Sequence, residues 1–158
     1  MDLILGEEAG RAQDISDILS AVRNNDLEHV QEITLSITGL NNLSWALREL
    51  TGQIEAAKGR VSRSFADDLG LIQNSVAFTL QDVWTILGKM PRNPTPQDYR
   101  RAWKDVVGYC SGMGKQSLHL RLETYKLFIY ALCKVLKRYE SYSLFDAITL
   151  SRDFQTKL

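Results

Sequence analysis

The chain has 158 residues, of which 44% are hydrophobic, and its 19 basic and 19 acidic side chains cancel to a formal net charge of zero. That length suits one compact domain rather than two independent cores, and the balanced charge excludes a global field that would draw in nucleic acid or an anionic membrane. Two cysteines without metal-ligand spacing, and no apolar run near the roughly 18 residues needed to cross a bilayer, lead us to expect a cytoplasmic protein with no cofactor and no metal.

The charge is unevenly spread. Residues 1–80 carry 6 basic and 12 acidic side chains, and residues 81–158 carry 13 and 7, so the halves differ in sign at −6 and +6. Such halves attract, either within one folded chain or between copies, and salt screens the effect.

The chain opens with Leu3, Ile4 and Leu5 but meets Glu7 and Glu8 at once, without the basic leader and apolar run of a signal peptide. Asp14 is expected to cap a short first helix to about Arg23, with Ile15, Ile18, Leu19 and Val22 on one side. Asn24 and Asn25 interrupt it. Asp26 caps a long second helix to about Lys58, whose seam is Ile33, Ile37, Leu40, Leu47 and Ile54. Ser44 and Thr51 fall on that seam, and small polar residues there mark a close helix approach. Gly39 and Gly52 are points where this helix can bend.

Residues 59–64 read as a turn into a third helix from Phe65 or Asp67 to Lys89. Its apolar set is Leu69, Ile72, Val76, Leu80, Val83, Leu87 and Met90, broadened by Phe78 and Trp84. The short connection predicts that the second and third helices pack antiparallel. Pro91, Pro94 and Pro96 break the chain, and Thr95 or Pro96 begins a fourth helix with Tyr99, Trp103, Val106 and Val107 on a shared face. Residues 111–114 end it.

The clearest signal follows. Leu118, Leu122, Tyr125, Ile129, Leu132, Leu136 and Tyr139 recur at alternating four- and three-residue steps, the seam of a core helix. Leu127, Phe128 and Val135 are expected to widen its apolar arc toward further neighbours, and Cys133 to pack as a small hydrophobe. The predicted structural core of this helix is Leu118, Leu122, Tyr125, Phe128, Ile129, Leu132 and Leu136. Residues 141–158, with Leu144, Phe145, Ile148, Leu150 and Phe154, form either a short docked helix or the join to a following domain. The expected fold is a single all-α domain, an up-and-down bundle of four main helices with short flanking helices, its core spanning about residues 14–140.

Chemistry is hard to place on this pattern. Gly112, Gly114 and Lys115 suggest a phosphate-binding loop, but Tyr109 stands where its first glycine belongs and Gln116 where Ser or Thr must follow the lysine. The stretch reads instead as an interhelical loop, with Ser117 capping the fifth helix. His29 and His119 share no ligand spacing with a cysteine or paired carboxylates, and His119 is expected either to pair with Glu123 one turn on or to meet solvent. Glu7, Glu8, Asp67 and Asp68 look like helix-start or surface charges. No catalytic residue emerges, and the expectation is that the chain is not an enzyme.

Basic residues cluster as Arg100, Arg101 and Lys104, and as Lys134, Lys137 and Arg138. Together with the aromatic residues Trp45, Trp103, Tyr139 and Tyr142 they form the candidate interaction surface. Its expected occupant is a protein partner or a second copy, with weak anionic-membrane contact as the alternative and nucleic acid excluded by the lack of any recognised module.

Tyr99 to Lys104, followed by Ser117, Leu118, Arg121, Leu122, Glu123, Tyr125 and Phe128, resembles the latter half of a helical domain at the N-terminus of many filamentous-fungal proteins, related to HeLo-like domains. Leu47 to Leu50 and the helix around Ile72 to Leu87 fit the same arrangement, over about residues 15–140. Those chains often continue into nucleotide-binding signalling modules or repeat arrays. The resemblance implies a non-catalytic adaptor or oligomerisation role in signalling and carries over no catalytic residue. The chain departs from that family at its start, where Leu3, Ile4 and Leu5 run into acids instead of a small-residue-rich apolar helix, which removes the basis for a membrane-perturbing first helix.

Overall fold

The computed structural model describes residues 2–57, 60–112 and 116–155, with side chains described from 5 to 138 outside those gaps. Five helices follow one another: α1 (Asp2–Asn25), α2 (Val30–Ala57), α3 (Arg63–Leu87), α4 (Pro96–Gly112) and α5 (Leu118–Gln155). They form an all-α helical bundle around one continuous core.

α1 is not the short helix expected from Asp14. Leu5, Ala9 and Ala12 continue the stripe of Ile15, Leu19 and Val22 backward at helical spacing, and all six are buried. The acids at positions 7 and 8 conceal this pattern in the sequence. Glu8 lies 7% exposed, and its Oε2 finds no hydrogen-bond partner among the described residues. Burial holds its carboxyl above the usual carboxylate range, opposed by Arg11 at 3.8 Å.

The helix starts follow local polar chemistry. Asp26, 2% exposed, accepts the His29 N–H at 3.2 Å and lies 3.1 Å from His29 Nδ1, which closes the bend before α2. Ser62 caps α3 by accepting the Phe65 N–H at 3.1 Å. At α4 the Thr95 N–H and hydroxyl both donate to Asp98 Oδ2 at 2.8 Å, and the Asp98 N–H returns to Thr95 Oγ1 at 3.3 Å, with Pro96 in the first helical position. Those bonds hold the Asp98 carboxyl below its ordinary range. The Arg121 N–H bonds the Ser117 carbonyl at 3.1 Å, which opens α5.

Packing departs from the expected neighbours. Among the described residues α2 and α3 do not pack on each other, despite their short connection. The full-length α1 takes the place beside α2, antiparallel to it: Ser44 Oγ donates to the Ala9 carbonyl at 2.9 Å, and Arg23 reaches Thr34 at 3.5 Å. The other flank of α2 meets α5. Gly39 faces Leu122, whose Cβ and Cδ1 lie 3.2 Å from where a Gly39 side chain would begin, and Lys137 Nζ donates to Glu49 Oε1 at 3.3 Å. These two contacts run in the same chain direction, so α2 and α5 are parallel neighbours.

α3 and α4 complete the bundle against both α1 and α5. Tyr109 of α4 donates its hydroxyl to Asp82 at 2.8 Å, and Thr79 of α3 bonds Tyr125 of α5 at 2.7 Å. α5 continues without a break to Gln155, so residues 141–155 are not a separate short helix. The side chains of Tyr139 and Tyr142, and the loop residues Met113, Gly114 and Lys115, lie outside the described residues.

Two outcomes test this packing. Gly39→Val is expected to cost about 1–3 kcal/mol in urea unfolding, because its β-branch meets the stem of Leu122, while Gly52→Ala, which enters open space, gains about 0.5–1 kcal/mol. For Glu8 the native site favours the neutral acid, so its stabilising share is lost as pH rises through the elevated native value. Thermal unfolding is therefore expected to show the wild type gaining on Glu8→Gln as pH falls from neutral toward the ordinary value of 4.5. A constant difference across that range would contradict the assignment.

Candidate interaction face

α5 buries one side and exposes another of similar character. Leu118, Leu122, Ile129, Leu132, Cys133 and Leu136 are buried, with Tyr125 half-buried against the same core. Leu120, Leu127 and Val135, spaced by seven and eight residues, lie on the opposite side and are 51%, 60% and 45% exposed. Phe128, at 39% exposed, borders that outer stripe rather than joining the core, which corrects its expected placement. Leu127 and Val135 likewise do not widen the arc toward neighbours. The seam is filled by α2, α3 and α4, and among the described residues no further helix covers the outer stripe.

α3 repeats the arrangement on the same side of the molecule. Leu69, Ile72, Val76, Leu80 and Val83 point inward, while Leu71 and Phe78, seven residues apart, are 64% and 71% exposed. Phe78 therefore does not broaden the core stripe as expected. It lines a groove of 360 Å³ between the two helices, together with Ser75 and Thr79 of α3, Arg121, Thr124 and Tyr125 of α5, and Tyr109. The floor of this groove is fixed by polar contacts. Arg121 lies over the Tyr109 ring at 5.8 Å, and the Tyr109 phenol is pushed up to about 12 by burial and by its bond to Asp82.

The residues expected to make one interaction surface do not converge. Trp45 is exposed on the outer side of α2. Trp103 is only 3% exposed and belongs to the core, because its indole is the largest apolar group that α4 offers the bundle. Its Nε1 has no acceptor among the described residues. Arg100 and Lys104 line a cleft of 490 Å³ with Asp26, Glu28, His29 and Glu32, so this basic pair faces acids of its own chain. Arg101 lies on the other side of α4, in a shallow groove with Asp98 and Asp105. Lys137 is paired with Glu49, whereas Lys134 and Arg138 are exposed on α5 without a partner among the described residues.

The chemistry available is sparse. Burial raises the Cys133 thiol to about 11 and pushes Cys110 up as well, so both are poor nucleophiles at neutral pH. No three His, Cys, Asp or Glu side chains converge on a metal-sized site among the described residues, and no helix there is long and apolar enough to cross a membrane. Glu123 pairs with Lys126 at 2.8 Å and not with His119. Compared with protein-family models, characterised proteins and solved structures, the chain matches none.

The outer residues Phe78, Leu127 and Val135 were missed in the sequence because each was assigned to the core arc, and Leu71 because it was given no role. Their signal is a second periodicity, out of phase with the first on the same helix. A matched pair of substitutions separates the two faces. Leu132→Ala is expected to cost about 2–4 kcal/mol in denaturant unfolding, and Leu127→Ala less than about 0.5 kcal/mol at concentrations where the chain is dilute. Equal costs would contradict the two-faced reading of α5.

Proposed function

We propose that this chain is a non-catalytic helical interaction module of a cytoplasmic signalling protein, of the kind found at the N-terminus of filamentous-fungal proteins. The observation that carries the reading is the outer apolar stripe of α5 with Leu71 and Phe78 of α3 beside it. Large apolar side chains scattered singly need no explanation, but aligned rows on adjacent helices mark a surface made to be covered. The groove between the two helices has a floor held by the Thr79–Tyr125 and Tyr109–Asp82 hydrogen bonds, which suits a surface that docks a helical partner. Buried thiols held in the protonated form favour binding over catalysis.

A second reading is peripheral membrane binding, which Lys134 and Arg138 favour by flanking Leu127 and Val135 on the same helix. The protein reading stands ahead of it because the exposed apolar residues lie on two adjacent helices, with Phe78 lining the groove between them, rather than forming one cationic amphipathic ribbon.

A photo-cross-linking amino acid at Leu127, in the intact protein within its own cells, separates these readings. The expected result is a reproducible protein adduct at Leu127 and none at the exposed control position Glu55. Adducts at the two positions that do not differ would contradict the interaction module. Co-sedimentation with anionic vesicles at about 150 mM salt, abolished by Lys134→Glu, would transfer the face to the membrane reading.

A further inference from the structure

We infer that the α3–α5 face is closed by a second copy of this chain, about a two-fold axis parallel to the bundle. The inference rests on the interaction-module reading and names its partner. It begins from the register of the two helices. Asp82 and Arg121 both meet Tyr109, while Thr79 meets Tyr125, so α3 descends the bundle as α5 ascends. Because both helices rise about 1.5 Å per residue, Leu71 lies near the level of Cys133, and Phe78 near that of Lys126. Val135 and Leu127 are their neighbours on the outer side of α5.

Charge follows the same register. Asp67 and Asp68, exposed on α3, stand near the level of Leu136 and Lys137, where α5 exposes Lys134 and Arg138. None of these four side chains has an ion-pair partner among the described residues. The face is therefore acidic along one helix and basic along the other at one height. A two-fold axis parallel to the helices keeps that height and exchanges the helices, setting the α3 of each copy against the α5 of the other. Acid then meets base, Leu71 meets Val135 and Phe78 meets Leu127, each contact made twice. An axis across the helices would instead pair α3 with α3 and α5 with α5 at inverted heights, which separates Asp67 and Asp68 from Lys134 and Arg138. The charge pattern therefore favours the parallel axis of the two symmetric arrangements, and a second copy placed about it supplies the complement at each of these positions.

The size of the face agrees. Two adjacent helices, each about 10 Å across and some 35 Å long, offer on the order of 700 Å², close to the ~800 Å² per partner that a specific interface buries. The opposite net charges of the two sequence halves have a structural counterpart here, since most of α3 belongs to the acidic half and all of α5 to the basic one.

The test is sedimentation equilibrium of the purified chain from about 1 to 200 μM, with circular dichroism confirming that every variant is folded. The wild type is expected to pass from monomer to dimer within that range. Lys134→Glu with Arg138→Glu is expected to weaken the dimer at least about tenfold, and adding Asp67→Lys with Asp68→Lys to restore it to within about threefold. Phe78→Ser is expected to abolish it. A constant monomer mass would overturn the inference, as would a dimer unmoved by Phe78→Ser or by the charge exchange. A monomeric chain that still gives a protein adduct at Leu127 in cells would overturn self-pairing alone and leave the interaction module standing.

Discussion

The approach of α2 to α5 at Gly39 and Leu122 is the constraint on which the rest of the arrangement depends. A glycine there lets the two backbones come close enough for Leu122 to fill the space a side chain would occupy, and the Glu49–Lys137 pair continues the contact in the same direction. This fixes the rotation of α5 about its own axis. Once its seam is turned toward α2, α3 and α4, Leu120, Leu127 and Val135 must point away from all of them. The exposed stripe is thus a geometric consequence of the core contact.

The opposite flank of α2 is set by a different device. Ser44 donates to the Ala9 carbonyl, and Ala9 and Ala12 present little bulk, so α1 lies close along α2. The two small-residue contacts, one on each flank, leave α2 no room to meet α3. The bundle consequently has α1 and α5 as bridging helices, each touching α2, α3 and α4. α3 is carried to the far side, where Thr79 and Tyr125 lock it to α5 and set their outer apolar rows side by side.

The fold was legible where apolar residues recur in a single phase. The seam from Leu118 to Leu136, the stripe of α3 and the start of α4 follow from spacing and capping chemistry, whereas α3 begins at Arg63, inside the expected turn. The site was largely illegible, for a physical reason: an apolar residue off the seam can widen a buried arc or face water, and one chain's pattern does not distinguish these until neighbours are counted. Leu127, Val135 and Phe78 fell on the wrong side of that choice, and Trp103 erred in the opposite direction, an aromatic assigned to the surface that fills the core. α1 was curtailed because two acids interrupt its apolar start, one of which, Glu8, lies on the buried stripe and is tolerated there at a raised pKa. The loss of the antiparallel α2–α3 pair follows from that omission.

The central claim is that α5 has one face spent on the core and one face kept for a partner. Hydroxyl-radical footprinting of the purified chain across a concentration series reads both faces at once. The account predicts that Leu127, Val135 and Phe78 react readily when the chain is dilute and become protected together as concentration rises, while Leu122 and Leu132 stay unreactive throughout. Outer residues already protected at the lowest concentration, or Leu132 as reactive as Leu127, would contradict it.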